Sequence, residues 1–118
     1  MISGIGIDIV ELDRMEKIYQ RQNKFVDRVL TQSEKATFQT LTESRKIEFL
    51  AGRFAAKEAY SKAVGTGIGE NLSFLDIEIE KDSKGKPYVA KPQKEGVHLS
   101  ISHNRNFAVA QVIIEKVG

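Results

Sequence analysis

The chain has no cysteine and only two histidines, His98 and His103, in 118 residues. Without cysteine there is no disulfide, no zinc–thiolate site and no thiol nucleophile. Two histidines are also too few for a multi-histidine metal centre. Any bound metal must rest mainly on carboxylate oxygens, a donor set that suits a hard ion such as Mg²⁺. No apolar run approaches the ~20 residues that a membrane-spanning helix needs. The N-terminal segment has neither the basic stretch nor the cleavage site of a secretory signal, so a cytoplasmic location is expected. A net charge of +2 gives no electrostatic reason to expect a nucleic-acid partner. Internal repeats, low-complexity tracts and Pro/Gly-rich linkers are missing too, which leaves residues 1–118 as a single domain. A domain of this size buries a genuine core but has little room for an enclosed active site. A site completed across a subunit boundary is the resulting expectation.

What is present falls into a strand, a block of helices and a set of strands. Ile2 to Val10 is rich in isoleucine and interrupted by Gly4 and Gly6, and it reads as a buried strand whose glycines admit a close backbone or ligand. Helical spacing follows from Glu11 to Tyr19 and again from Lys24 to Val29. Thr31-Gln-Ser-Glu34 has the form of a capping box opening a further helix. Ser44 to Val64 is the longest periodic segment, with Ile47, Leu50, Ala51, Phe54 and Ala55 on one apolar face and Gly65-Thr-Gly67 to end it. Phe74 to Glu80 and Lys86 to Ala90 flank a turn at Asp82–Gly85, and Val97 to Ser102 and Phe107 to Glu115 alternate as strands. Residues 91–99 carry little signal. This order indicates an α+β fold with antiparallel strands after the helices.

Glu58 lies at the margin of the apolar stripe of the long helix, with Arg53, Lys57 and Lys62 within about a turn. A carboxylate beside several cations fits a metal and polyphosphate site, the acid holding the ion while the bases face phosphate oxygens. The same spacing also describes an ordinary Glu58–Lys62 surface pair worth ~0.2–0.5 kcal/mol. Asp8, near the end of the first strand, reads either as a metal ligand or as a cap for the helix beginning at Glu11. Gly65-Thr-Gly67 can bring backbone N–H groups to phosphate, but it lacks the Lys-Ser/Thr of a P-loop and also reads as a helix-ending turn. His103, beside Ser102, Asn104 and Arg105, is either a solvated turn residue or a phosphate or adenine contact. Arg14, Lys17, Arg21, Lys24 and Arg28 recur every three or four residues around Phe25, a docking face for an acidic helical partner if the helix is continuous. Asp8, Glu11, Asp13, Glu16 and Asp27 balance those bases, so a merely solvated face remains the alternative.

Four segments taken together carry a resemblance. Gly4-Ile-Gly-Ile-Asp8-Ile-Val-Glu11, Arg53-Phe-Ala-Ala-Lys-Glu58-Ala-Tyr-Ser-Lys62-Ala, Gly65-Thr-Gly67 and Leu99-Ser-Ile-Ser-His103 resemble, in order and spacing, the short holo-acyl-carrier-protein synthase type of 4′-phosphopantetheinyl transferase. The first two are specific, and the likeness spans essentially the whole chain. It implies that family's fold, and transfer of phosphopantetheine from coenzyme A to a carrier-protein serine for fatty acid biosynthesis. It also implies that Asp8 and Glu58 coordinate Mg²⁺ together with the coenzyme A pyrophosphate. Lys62 would lie near the scissile phosphate and stabilise departing charge, and Glu58 would accept the serine proton. Arg53, Lys57, the Gly65–Gly67 turn and His103 would contact coenzyme A. The face formed by Arg14, Arg21, Phe25 and Arg28 would receive the acyl carrier protein. Short members assemble as trimers with sites between subunits.

Overall fold

The computed structural model describes residues 1–116. Strand β1 (Ile2–Glu11) leads into α1 (Leu12–Arg21), α2 (Lys24–Val29), α3 (Gln32–Phe38) and the long α4 (Glu43–Val64). A 3₁₀ turn at Phe74–Asp76 then precedes β2 (Glu78–Lys81), β3 (Pro87–Lys91), β4 (Val97–His103) and β5 (Phe107–Glu115). The expected α+β order is the order that forms.

Local chemistry sets the boundaries. Thr31 Oγ1 accepts from the Glu34 N–H while Glu34 Oε1 accepts from the Thr31 N–H at 2.8 Å, closing the capping box that starts α3. Thr42 caps α4, and Gly65 ends it in the left-handed region at φ 101°. Asp82 Oδ1 accepts from the Lys84 and Lys86 N–H groups, both at 2.9 Å, and so fixes the turn between β2 and β3. The strand expected from Phe74 starts later. Asp76 Oδ2 accepts from the Ser73 N–H at 2.9 Å and draws that segment into a 3₁₀ turn first.

The sheet that carries the fold runs β1–β5–β4, antiparallel throughout, while β2 and β3 pair separately. Helix α4 lies on one face of the larger sheet. Its Ala55, Ala56 and Ala59 are fully buried, as are Ala108, Ala110 and Val112 of β5. Small residues on both sides let helix and sheet approach closely, and β1 takes this furthest. A Cβ on Gly6 would stand 1.8 Å from the Ala59 carbonyl oxygen, and one on Gly4 would stand 2.0 Å from that of Ala63. Only glycine allows β1 to lie against α4 at this distance, and that approach brings Asp8 to the helix.

The opposite face of β1 corrects the sequence reading. Alternation along the strand turns Ile5, Ile7 and Ile9 away from α4, and they are 60%, 57% and 62% exposed in the single chain. Half-buried Val109 and Ile113 of β5 lie beside them in register with Ile9 and Ile5. Among the described residues no helix is long and apolar enough to cross a membrane.

Candidate active site

Lys62 decides how the first cluster is built. One turn beyond Glu58 on α4, it does not fold back onto that residue. Its Nζ donates instead across to β1, to Asp8 Oδ1 and to the Ile7 carbonyl, each at 3.0 Å. Asp8 does not cap the next helix either. The N-cap position of α1 is Glu11, and no side-chain cap bond forms there. Both ordinary explanations of these residues therefore fail. Two acids separated by 50 positions in the sequence thus come near enough to influence one another, with the Lys62 ammonium bound to Asp8 alone. Burial, and next the neighbouring Asp8 carboxylate, push the Glu58 carboxyl above its usual range, with Lys62 pulling the other way.

This cluster opens into a cleft of about 420 Å³. Asp8, Glu11, Glu58 and Arg14 supply its charged lining, and Met15, Phe25 and Phe54 are among its apolar lining. The Phe54 ring packs between Phe25 and Phe74, with ring centroids 5.9 and 5.2 Å away.

A second cleft, about 130 Å³, lies toward the other edge of the sheet, where β4 ends at His103. Arg45, Arg53, Lys81 and His103 line it. The Arg53 guanidinium is buried over the Phe49 ring at 4.2 Å, and its Nε has no hydrogen-bond partner among the described residues. Burial lowers the pKa of Arg53, and Glu34 partly offsets this. A buried donor without an acceptor beside other cations marks a place for an anion. His103 Nδ1 stands 4.0 Å from Glu48 Oε2 of α4, and the residue ends β4 instead of lying in the turn that follows.

A family model described as the 4′-phosphopantetheinyl transferase superfamily matches residues 4–112. The chain belongs to this superfamily. A holo-(acyl-carrier-protein) synthase of Anoxybacillus flavithermus is 61% identical over 118 residues, covering 99% of this chain and 98% of that one. The crystal structure of a Bacillus anthracis holo-(acyl-carrier-protein) synthase in complex with CoA (3',5'-ADP) matches with a TM-score of 0.93 and 57% identity over 99% of both chains. That of the Neisseria meningitidis enzyme matches with a TM-score of 0.89 and 37% identity, over 98% of this chain and 100% of that one.

Within that family frame, several residues expected at the site stand elsewhere. Lys57 has no exposed surface, and its three protons go to Glu34 Oε1, the Val29 carbonyl and the Phe74 carbonyl. An ammonium has three donors, so none is left for coenzyme A. The N–H groups of Gly65 and Gly67 both bond the Ser61 carbonyl, at 3.0 and 3.1 Å, so the turn spends them on ending the helix and not on a phosphate. The basic line is broken because the chain leaves helix at Gln22 and Asn23. Arg14 and Phe25 share the first cleft, whereas Arg21 and Arg28 are exposed and do not line it.

Sequence reasoning missed Glu34 as a hub. Its Oε2 accepts from the Ile79 N–H at 2.7 Å while Oε1 holds Lys57 at 2.6 Å. The signal was present: Arg53 and Lys57 fall three and seven residues after Leu50, on the buried stripe of α4.

The residues at the first cluster fit a divalent metal. Among the described residues no group of three or more metal-ligating side chains forms, but the carboxylates of Asp8 and Glu58 line one cleft. Mg²⁺ is commonly held by one or two carboxylates, with substrate phosphates completing its shell.

Proposed function

We propose that the chain performs its transfer with Mg²⁺ held by Asp8 and Glu58, at sites shared between neighbouring copies of a cytoplasmic homotrimer. The reaction moves 4′-phosphopantetheine from coenzyme A to a serine of apo-acyl carrier protein, giving the holo-carrier for fatty acid biosynthesis and adenosine 3′,5′-bisphosphate. The observation that carries the metal reading is the position of Lys62. Asp8, with the Glu58 carboxylate nearby, already takes a cation from the helix in the free chain. Bound there, Mg²⁺ would neutralise the pyrophosphate and increase its susceptibility to attack.

The chain's own groups do the rest. The serine oxygen attacks the β-phosphorus, the new O–P bond forms, and the bond to the adenosine-side phosphate oxygen breaks. Glu58 takes the serine proton. Its two oxygens allow one to face the cation while the other accepts the proton. Lys62 turns its ammonium to the charge developing on the leaving phosphate. Arg14 and the apolar lining at Phe25 and Phe54 receive the acidic carrier, pairing charge with an apolar anchor.

Two features support the shared site. The carboxylate cleft and the Arg53–His103 cleft lie toward opposite edges of the β1–β5–β4 sheet. The exposed Ile5, Ile7 and Ile9 face of the edge strand β1 is an apolar patch of the kind that other chains cover. Copies packed head to tail on this face would set one chain's carboxylates beside the next chain's cations, which would receive a phosphate of coenzyme A.

Mixed assemblies test this. Asp8→Asn and His103→Ala proteins, each depleted in activity, should regain transfer when co-assembled, because some boundaries then combine two intact halves. No recovery in demonstrably mixed trimers would place both halves on one copy. Loss of transfer on adding EDTA, restored by Mg²⁺, is the companion result.

A further inference from the structure

We infer that Lys62 is the resident counter-cation of Asp8, so that a metal ion enters this site productively only together with a pyrophosphate that gives Lys62 a new partner. This rests on the Mg²⁺ reading above and adds an order of events to it.

The geometry is specific. Lys62 and Glu58 sit one helical turn apart, the spacing at which such pairs usually meet. Lys62 nevertheless reaches to β1, where Asp8 Oδ1 and the Ile7 carbonyl each accept a bond at 3.0 Å. Two of its three protons are used there, and the side chain is still half exposed, at 49%. Asp8, at 16%, is the more enclosed partner. An enclosed carboxylate left without a cation costs more than an exposed one, and Lys62 meets that need in the free chain. Its third proton and its exposure leave it able to swing away without unpacking the core.

A divalent ion approaching Asp8 must displace Lys62 or sit beside it, and both oppose binding. Displacement becomes favourable when a pyrophosphate lies in the cleft, because its oxygens accept the released ammonium. Metal and coenzyme A then favour each other's binding by the same factor. Lys62 thus works against the metal before substrate arrives and with it afterwards.

The sign of one substitution separates this from simple repulsion between two cations. Mg²⁺ affinity is measured by calorimetry on the wild-type protein and on Lys62→Met, each with and without coenzyme A and without carrier. Without coenzyme A, Lys62→Met should bind Mg²⁺ about fivefold or more tightly than wild type, within the usual range of such couplings. With coenzyme A bound, the same substitution should leave Mg²⁺ affinity unchanged or lower it. Tighter binding under both conditions would mean that Lys62 only repels the metal, and no change without coenzyme A would mean that it does not compete. Either result overturns the inference. Lys62→Gln, which keeps a donor but not the charge, should follow Lys62→Met; wild-type behaviour from it also overturns the inference. If wild type binds no Mg²⁺ even with coenzyme A present, the metal reading itself falls.

Discussion

Lys57 and Lys62 lie five residues apart on α4 and about 140° apart around it. Both pair with a carboxylate from another element, and they serve different ends. Lys57 is wholly buried at 2.6 Å from Glu34, and backbone carbonyls from α2 and the 3₁₀ turn take its remaining protons. Burial lowers its pKa, and Glu34 opposes that effect. Lys62 is half exposed at 3.0 Å from Asp8, with a proton to spare. A charge whose donors are all satisfied inside the protein holds elements together. A half-exposed charge with an unfilled donor, beside a carboxylate that lines a cleft, is free to meet a ligand.

The largest effect that tests this contrast is on stability. Lys57→Met leaves Glu34 buried without its cation, and chemical denaturation should show a loss of about 3–5 kcal/mol. Adding Glu34→Gln should recover a large part of it. A loss below ~1 kcal/mol would mean the buried pair does not hold the fold. Lys62→Met should reverse the profile. Its stability should stay within ~1 kcal/mol of wild type, as for a half-exposed pair. Turnover should fall about 100-fold, the usual cost of removing a group that faces transition-state charge. Unfolding instead of inactivation would erase the distinction between the two lysines.

A smaller effect is expected on carrier binding. Reversing Arg14 and Arg21 to Glu should raise KM for the carrier about tenfold, or ~1.4 kcal/mol, with little change in KM for coenzyme A. Because only Arg14 lines the cleft, Arg14→Glu should account for more of this than Arg21→Glu. Equal losses for both substrates would argue against a carrier-facing surface. The smallest effect concerns pH. A carboxyl whose folded pKa is raised binds its proton more tightly in the native state. Glu58 therefore adds stability to the metal-free protein at low pH, and that contribution is lost as pH rises from the ordinary 4.5 through the raised folded value. Glu58→Gln should remove this slope and be no less stable than wild type at neutral pH, read from denaturation midpoints. An unchanged slope would remove Glu58 as its source.

Much of this was legible in the sequence because it depends on local chemistry. The Thr31–Glu34 capping box, the Asp82 turn and the alternation in β4 and β5 each fix an element by contacts within a few residues. The Asp8–Glu58 cluster could be suspected from two motifs, but spacing alone left a cap and a surface pair standing. The N-cap at Glu11, which has no side-chain bond, excludes the first, and the long-range bonds of Lys62 exclude the second. The exposed side of β1 was misread because an isoleucine-rich run reads as buried on both faces of a strand, whereas here only one face meets α4. The glycines at positions 4 and 6 carried the better signal, since they mark the face against α4 and send Ile5, Ile7 and Ile9 the other way. Lys57 was misplaced for a related reason. Charge suggests a surface, and its register with Leu50 and Phe54 on the core stripe was the stronger indication.

The most direct test is the mass of an apo-acyl carrier protein after incubation with the chain, coenzyme A and Mg²⁺. Wild-type protein should add one phosphopantetheine to the carrier, and Asp8→Asn, folded and of nearly wild-type stability, should add almost none at the same metal concentration. Transfer by folded Asp8→Asn at the wild-type rate would contradict the assignment of Asp8 to the metal and of this cluster to catalysis.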